Sequence, residues 1–190
     1  MPFIGTMLKK GVPAQLMSAF GMFLFFAFSL MLSNSSLSSG TGDFFWPLII
    51  RGVGMAFLFV PLTTLAIQDL KGKEIGQGTG LNNMGRQLGG SFGIAALTTL
   101  IHVRNGVHRS NLLSNINEYN SAFTHKLQML SQSFMAKGYT LYGAHQAAIK
   151  AVEGMVTKQT LLLTYTEAYW LVGYVMLFSI PLLLLQKFKK

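Results

Sequence analysis

The chain contains no cysteine, only six acidic residues and few charges of either sign. Without cysteine, disulfides and thiolate metal sites are excluded. Charged residues make up 11% of the chain and hydrophobic residues 51%, whereas ordinary soluble domains are about 25% charged. This composition does not suit a globule in water and is typical of a protein that is solvated mainly by lipid.

Four segments are long and apolar enough to be read as membrane helices, since about 20 apolar residues cross a bilayer. The sequence predicts an all-α membrane protein with four transmembrane helices at about residues 12–32, 44–67, 80–101 and 168–186. The predicted organisation is three transmembrane helices in 1–101, an extracytoplasmic helical segment in 102–167, and a fourth transmembrane helix with a basic cytoplasmic tail in 168–190.

The net charge is +9, and seven of the eleven lysines lie beside the predicted spans. Lysines lie in the flanks 9–10, 71–73 and 187–190, whereas the connection 33–43 contains no Lys or Arg. Short flanks rich in Lys and Arg stay in the cytoplasm, so the sequence predicts a multi-pass protein of the cell membrane with a cytoplasmic C-terminus. No basic patch interleaved with aromatic residues forms, which argues against nucleic acid as a partner and leaves the lipid bilayer.

The segment 102–167 has a helical pattern of its own. Apolar residues recur at spacings of three and four from Leu112 to Phe134, which predicts an amphipathic helix that Gly138 would end. Thr140 is a candidate N-cap for a second helix that runs toward the last span. The expected structure is an extracytoplasmic helical hairpin, and the alternative role is a docking surface for an extracytoplasmic adaptor.

Two spans carry an arginine, Arg51 in the second and Arg86 in the third. A central Arg costs about +2.5 to +3.5 kcal/mol, whereas each Leu, Ile, Phe or Val contributes about −0.3 to −0.6. The second span has thirteen such apolar residues and the third has seven, together with Asn82 and Asn83. The third span is therefore marginal, and its polar side chains should face other helices instead of lipid.

Small residues and a proline accompany these arginines. Gly52 and Gly54 lie in the second span, and Gly89 and Gly90 in the third, where they would allow helices to approach closely. Pro61 removes a backbone hydrogen bond and should kink its helix. Ordinary helix packing and a moving helix interface both remain open as explanations.

Enzyme and cofactor motifs are missing from the sequence. The four histidines lack metal-site spacing, and no nucleophile motif occurs, so no catalytic residue, metal or cofactor is expected. The glycine run 76–80 follows no strand and has no Lys-Ser/Thr after it, so a loop entering a helix is expected there. None of the six acids lies within a predicted span, so the residues themselves provide no proton relay.

The stretch 46–93 resembles the major facilitator superfamily, and within it the 14-helix drug:proton antiporter branch of the EmrB/QacA type. The string Arg51-Gly-Val-Gly resembles the family's R-x-x-x-G-x-G helix motif, and Gly89-Gly-Ser-Phe-Gly lies where its antiporter motif has glycines. The stretch 5–11 looks like a degraded copy of the cytoplasmic loop G-x-x-x-D-R-x-G-R-R, whose acidic residue is missing.

By this resemblance the chain is the C-terminal part of a proton-coupled multidrug efflux transporter, with spans matching helices eleven to fourteen. The implied partners are the remaining N-terminal helices and an amphiphilic small-molecule substrate. The transport-path or helix-interface candidates are Arg51, Gly52, Gly54, Pro61, Asn82, Asn83, Arg86, Gly89 and Gly90. The alternatives are a free-standing four-helix membrane protein that acts as a homo-oligomer, and a non-transport scaffold or assembly subunit.

Overall fold

The computed structural model describes residues 2–114, 116–117 and 119–185, and in this part the chain is helical without strands. The helices are α1 (Pro2–Lys9), α2 (Ala14–Ser33), α3 (Thr41–Ile67), α4 (Glu74–Leu113), α5 (Ser121–Ala136) and α6 (Leu141–Leu184). The chain divides into two compact units. The first comprises Met1–Thr98 with Thr166–Lys190, and the second comprises Thr99–Tyr165.

Three of the described helices, α2, α3 and α6, are long and apolar enough to cross a membrane. The predicted span 80–101 lies within α4, which is 40 residues long but is not one of these three. Its glycines and its polar residues, Asn82, Asn83 and Arg86 among them, lower its hydropathy. The expectation of four spans is therefore not confirmed, whereas the all-α membrane class agrees with the three apolar helices.

The first unit is built around the contact between α2 and α3. A methyl group on Gly21 would lie 2.9 Å from the backbone carbon of Phe57 and 3.0 Å from the carbonyl oxygen of Gly54. Phe20 packs edge-on against Phe57, with 5.3 Å between the ring centroids. Because both helices have glycine at the crossing, their backbones approach more closely than larger side chains would allow.

The C-terminal part of α6 packs against the opposite end of α2. Gly173 faces Ser29, and a methyl group on this glycine would lie 3.1 Å from the Ser29 Cβ. Phe28 meets Tyr169 edge-on at 6.1 Å between centroids. The last predicted span is therefore part of a longer helix that begins at Leu141, and small residues again mark the contact.

The start of the chain differs from expectation. Residues 5–9, expected within a cytoplasmic loop, form most of α1, which ends in a glycine-dependent cap. Gly11 has φ +86°, its N–H donates to Leu8 O, and Val12 N–H donates to Met7 O. This pair of bonds is a Schellman cap, so most of the stretch 5–11 that resembles a cytoplasmic loop is helical, and Gly11 ends that helix.

The glycine run 76–80, where a loop entering a helix is expected, lies within α4 and is helical from Glu74 onward. The turn before it contains Gly72 at φ +57°, and Glu74 N–H donates to Lys71 O. The chain reverses at 68–73, so the glycines that follow are free to continue the helix.

In the second unit, the predicted amphipathic helix is divided. Leu112 belongs to the end of α4, and α5 starts only after Asn120. The Asn120 side chain accepts hydrogen bonds from Ala122 N–H at 3.0 Å and Phe123 N–H at 3.4 Å, which makes it an N-cap. The cap at Asn120 therefore separates residues that their apolar spacing places in one predicted helix. The end of α4, the whole of α5 and the start of α6 lie where a two-helix hairpin is expected.

The end of α5 and the start of α6 agree with the sequence. Gly138, at φ +92°, donates to Met135 O, and Tyr139 N–H donates to Phe134 O. The Phe134 and Tyr139 rings meet at 5.6 Å, the apolar contact typical of this cap. Thr140 Oγ1 then accepts from Gly143 N–H, so the predicted helix stop and the predicted N-cap are both confirmed.

Candidate functional site

The first unit contains a cavity between its helices, which we call the Arg86 cavity. Its volume is about 570 Å³, within the usual range of about 300–1,000 Å³ for small-molecule pockets. The lining residues come from α2, α3, α4 and the C-terminal part of α6: Phe25, Met55, Leu58, Phe59, Leu62, Thr63, Asn82, Gly85, Arg86 and Met176.

The polar side of the cavity is one face of α4. Asn82, Gly85 and Arg86 are three and four residues apart, a spacing that places side chains on the same side of a helix. The Arg86 guanidinium carbon lies 5.2 Å from the centre of the Phe59 ring, a cation–π contact between α4 and α3. This contact orients the guanidinium toward the cavity wall that α3 provides.

The remaining walls are mainly apolar. α3 contributes residues from Met55 to Thr63, which at about 1.5 Å per residue extend over about 12 Å of helix. Phe25 and Met176 close the sides from α2 and α6. A cavity with such walls and a single cation suits a molecule that has an apolar body and one polar end.

No carboxylate is among the residues that line the Arg86 cavity. Glu74 lines a neighbouring cavity of about 680 Å³ beside the α3–α4 turn, and Asn82 borders both. Along α4, Glu74 and Arg86 are separated by about 18 Å of helix rise. Glu74 is therefore too far along the helix to neutralise the guanidinium directly.

The candidates on α3 have different surroundings. Gly54 is buried against α2, where a methyl group would lie 3.3 Å from both Gly21 O and Leu24 Cβ. Pro61 is also buried, and because it has no N–H, the Phe57 carbonyl at the Gly21 contact lacks its usual helical donor. Arg51 and Gly52 are exposed, and neither lines the Arg86 cavity.

The candidates on α4 divide in the same way. Asn82 and Arg86 both line the cavity, Asn82 half-buried and Arg86 exposed at its edge, whereas Asn83 is exposed and does not line it. Gly89 and Gly90 are exposed, and a methyl group on either would meet no heavy atom within 4 Å. The close helix approach expected at these two glycines is absent from the part of the chain that the structure describes.

Sequence reasoning missed most of the cavity wall. Phe25, Met55, Phe59 and Met176 are ordinary apolar residues of membrane-length helices, and no motif distinguishes them. Gly21 was also missed, although a glycine within a strongly apolar span is a signal that could have paired it with Gly54. No group of three or more His, Asp or Glu side chains suited to a metal ion occurs among the described residues.

Comparison with known proteins identifies relatives that are export and resistance proteins. The chain is 27% identical over 187 residues, 98% of its length, to "Fatty acid resistance protein FarB" of Neisseria gonorrhoeae. It is 28% identical over 126 residues, 66% of its length, to "Multidrug export protein EmrB" of Escherichia coli K12. It is 23% identical over 144 residues, 76% of its length, to "Colistin resistance protein EmrB" of Acinetobacter baumannii.

The predicted resemblance to EmrB-type efflux transporters is confirmed. The names of these relatives support a role in transport, and the apolar helices fit a membrane location. The chain spans 35% of the length of FarB and 23% of that of the Escherichia coli EmrB. No family model and no solved structure matches the chain.

Proposed function

We propose that the chain is the C-terminal part of a proton-coupled multidrug efflux transporter of the major facilitator superfamily. The observation that carries this proposal is the Arg86 cavity, an apolar chamber between membrane helices with one cation in its wall. Such a chamber offers an amphiphilic small molecule a place within the membrane that suits both its apolar body and its polar end. The printed name of EmrB, a multidrug export protein, supports the same activity.

In this proposal α4 crosses the membrane as the third of four spans, in spite of its low hydropathy. An arginine and an asparagine that face a cavity do not have to be solvated by lipid. Gly89 and Gly90 are open in the described chain, and small residues of this kind usually face another helix. The remaining N-terminal helices of the transporter would pack on this face.

In this proposal the proton-coupling group lies outside the predicted spans of this chain. The acids in the described part lie at helix ends, in the second unit, or at Glu167, just before the predicted last span. Asp43 is an example of the first kind, since it accepts from Gly40 N–H at the start of α3. A proton relay in a membrane normally uses an embedded carboxylate or histidine. We therefore place the coupling carboxylate in the N-terminal half of the transporter.

The proposal also assigns sides of the membrane. The protein is located in the cell membrane with the lysine-rich flanks and the C-terminus in the cytoplasm. The second unit then lies outside the cytoplasm, where its helices are available to an extracytoplasmic adaptor. The Arg109–Glu153 ion pair joins α4 to α6 within this unit.

The test compares two lengths of the protein. The DNA upstream of Met1 is read, and any in-frame extension is expressed beside the 190-residue chain in a strain that lacks its major efflux pumps. Accumulation of a fluorescent amphiphile is then measured in energised cells. We expect lower accumulation with the long form only, and we expect a protonophore to abolish the difference.

The other outcomes separate the alternatives. Reduced accumulation with the shorter chain alone would favour the homo-oligomer, which needs no further helices. If neither length changes accumulation while both are present in the membrane, the transport proposal is wrong and the scaffold role takes its place. Insensitivity of the long form to the protonophore would remove proton coupling only.

A further inference from the structure

We propose that an aromatic girdle, made of Trp46, Tyr169, Trp170 and Tyr174, lies in the lipid headgroup region on the side of the α2–α3 connection and fixes the depth of the first unit in the membrane. These four are all the Trp and Tyr residues of that unit. The inference goes beyond the proposed function, because its partner is lipid and not a transported molecule. It requires only that α2, α3 and α6 cross the membrane, as their length and hydropathy indicate.

The depth of Trp46 follows from the contact between α2 and α3. A methyl group on Gly54 would lie 3.3 Å from both Gly21 O and Leu24 Cβ, so Gly54 is level with that stretch of α2. Trp46 precedes Gly54 by eight residues, which is about 12 Å of helix rise toward the α2–α3 connection. The same rise along α2 reaches the level of Met31.

The direction of α6 beside α2 follows from the contacts on the two sides of Gly173. Before this glycine, Tyr169 meets Phe28 edge-on, with 6.1 Å between the ring centroids. After it, Met176 lines the Arg86 cavity together with Phe25. α6 therefore runs antiparallel to α2, and the residues before Gly173 lie toward the C-terminal end of α2.

The depth of Trp170 then follows from a second and independent contact. A methyl group on Gly173 would lie 3.1 Å from Ser29 Cβ and 3.3 Å from Phe26 Cδ2. Trp170 precedes Gly173 by three residues, which is about 4.5 Å of rise. Counted from the midpoint of the two contacts on α2, this rise reaches residues 30–31. The two tryptophans are therefore at one level, although they belong to different helices.

The girdle faces outward and has the chemistry of a membrane interface. Trp46 is 64% exposed and Trp170 is 37% exposed, so the described helices enclose neither side chain. Trp170 stacks on Tyr174 with 5.3 Å between the ring centroids, and Phe45 extends the apolar surface beside Trp46. Trp and Tyr combine an apolar ring with one hydrogen-bonding group, so they favour the zone where hydrocarbon meets the headgroups.

The length of α3 favours the same depth. α3 has 27 residues and is about 40 Å long, whereas the hydrocarbon core is about 30 Å thick. From Trp46 to Ile67 the helix extends about 32 Å, which fills the core. The exposed Asp43, which accepts from Gly40 N–H, then lies among the headgroups. A boundary at Thr41 would bury this carboxylate in hydrocarbon and leave the apolar end of α3 in water.

The experiment measures tryptophan depth with brominated phospholipids, which quench tryptophan fluorescence on contact. The 190-residue chain is placed in vesicles of zwitterionic lipid that is brominated near the headgroup, midway along the acyl chains or near their ends. The chain has two tryptophans, so Trp170→Phe reports on Trp46 alone and Trp46→Phe on Trp170 alone. We expect bromine near the headgroup to quench both variants most, at depths that agree within about 4.5 Å, three residues of rise.

The matched control moves the fluorophore along α6. With both native tryptophans replaced by Phe, Phe178→Trp places an indole at an exposed position. This position is eight residues beyond Trp170, about 12 Å deeper, so bromine further down the acyl chains should quench it most. If a variant does not insert, the unmodified chain still decides, because its two tryptophans should give one shallow profile.

Three results would overturn the inference. Strongest quenching of either native tryptophan by bromine near the chain ends would place that side chain inside the hydrocarbon. Depths that differ by more than about 4.5 Å, three residues of rise, would contradict the common level. Absence of quenching at both native positions, with normal quenching at residue 178, would show that protein covers the girdle, as in contact with a second copy of the chain. Each of these results would leave the proposed transport function intact.

Discussion

The α2–α3 pair and α4 both contain small residues but use them differently. Gly21 and Gly54 face each other in a contact where an added methyl group would meet backbone atoms within about 3 Å. On α4, Gly89 and Gly93 are four residues apart, and an added methyl group on either would meet nothing within 4 Å. Gly21 and Gly54 therefore lie in a packed helix interface, whereas the α4 glycines face open space in the described chain.

This difference indicates that α2 and α3 are stable in lipid as a pair, whereas α4 depends on neighbouring helices. α2 and α3 are strongly apolar and bind each other through a closed contact. α4 has seven Leu, Ile, Phe or Val residues in its central stretch, and it also has an arginine. Its open small-residue face and its polar face, which lines the Arg86 cavity, both indicate a helix that functions among other helices.

The largest expected effect is on membrane insertion. On the hydrophobicity scale taken from insertion experiments, replacing Arg86 by Leu should make the free energy of inserting the α4 segment more favourable by about 3–4 kcal/mol. The change would convert a poorly inserted segment into a well inserted one. Arg51→Leu is the matched change in α3 and should produce no visible effect, because that helix already inserts. Glycosylation mapping of each segment in a host membrane protein measures both. If the unmodified α4 segment inserts fully, the predicted difference in insertion between α3 and α4 is wrong.

The next effect tests the two classes of membrane glycine. Gly21→Ala should destabilise the chain by about 1–3 kcal/mol, because its methyl group would lie 2.9 Å from the Phe57 backbone. Gly89→Ala should be neutral or stabilising by up to about 1 kcal/mol, because alanine is the better helix former and the space is open. Equilibrium unfolding in mixed detergent micelles measures both. Equal losses would show that α4 is packed after all.

A third kind of glycine is needed for its backbone conformation and not for its small size. Gly138 has φ +92°, so Gly138→Ala should cost about 1–2 kcal/mol from strain in the left-handed region. Gly138→Asn should cost less, because asparagine tolerates that region. Gly154→Ala, in open helical surroundings, is the control. Thermal unfolding followed by circular dichroism should give the alanine variant the lowest midpoint, the asparagine variant a higher one and the unmodified chain the highest.

The smallest effect concerns charge outside the membrane helices. The Arg109–Glu153 pair is exposed, at 38% and 51% of the two side chains, so a double-mutant cycle with Arg109→Gln and Glu153→Gln should give a coupling of about 0.2–1 kcal/mol. The coupling should decrease as salt is added. A coupling above about 2 kcal/mol would be the size expected of a buried ion pair. It would contradict the prediction for this exposed pair.

The sequence predicts the helices well where one physical signal dominates. Membrane-length apolar runs locate α2 and α3 to within a few residues, and Gly138 and Thr140 locate the α5–α6 turn. The prediction is wrong where two signals compete. The apolar periodicity from Leu112 to Phe134 continues across the break before α5, because period alone does not register the N-cap at Asn120.

The site is only partly predictable for a similar reason. Arg86 and Asn82 are conspicuous because polar residues in an apolar helix are costly, and both line the cavity. Phe59 and Met176 contribute through tertiary contacts between α3, α4 and α6, and their sequence surroundings resemble those of any lipid-facing residue. Arg51 is as conspicuous as Arg86 in sequence, yet it does not line the cavity, because the direction of a side chain depends on helix packing.

A cavity that admits small molecules for transport must be open to water. The most direct test of the proposed function is therefore whether water reaches the Arg86 cavity. The chain has no cysteine, so Gly85→Cys and Met84→Cys place single thiols on the cavity face of α4 and on the adjacent exposed face. A water-soluble thiol reagent is applied to each variant in nanodiscs of zwitterionic lipid. We expect rapid labelling at residue 85 and little labelling at residue 84. Equal labelling of the two positions would show that water does not enter the cavity selectively.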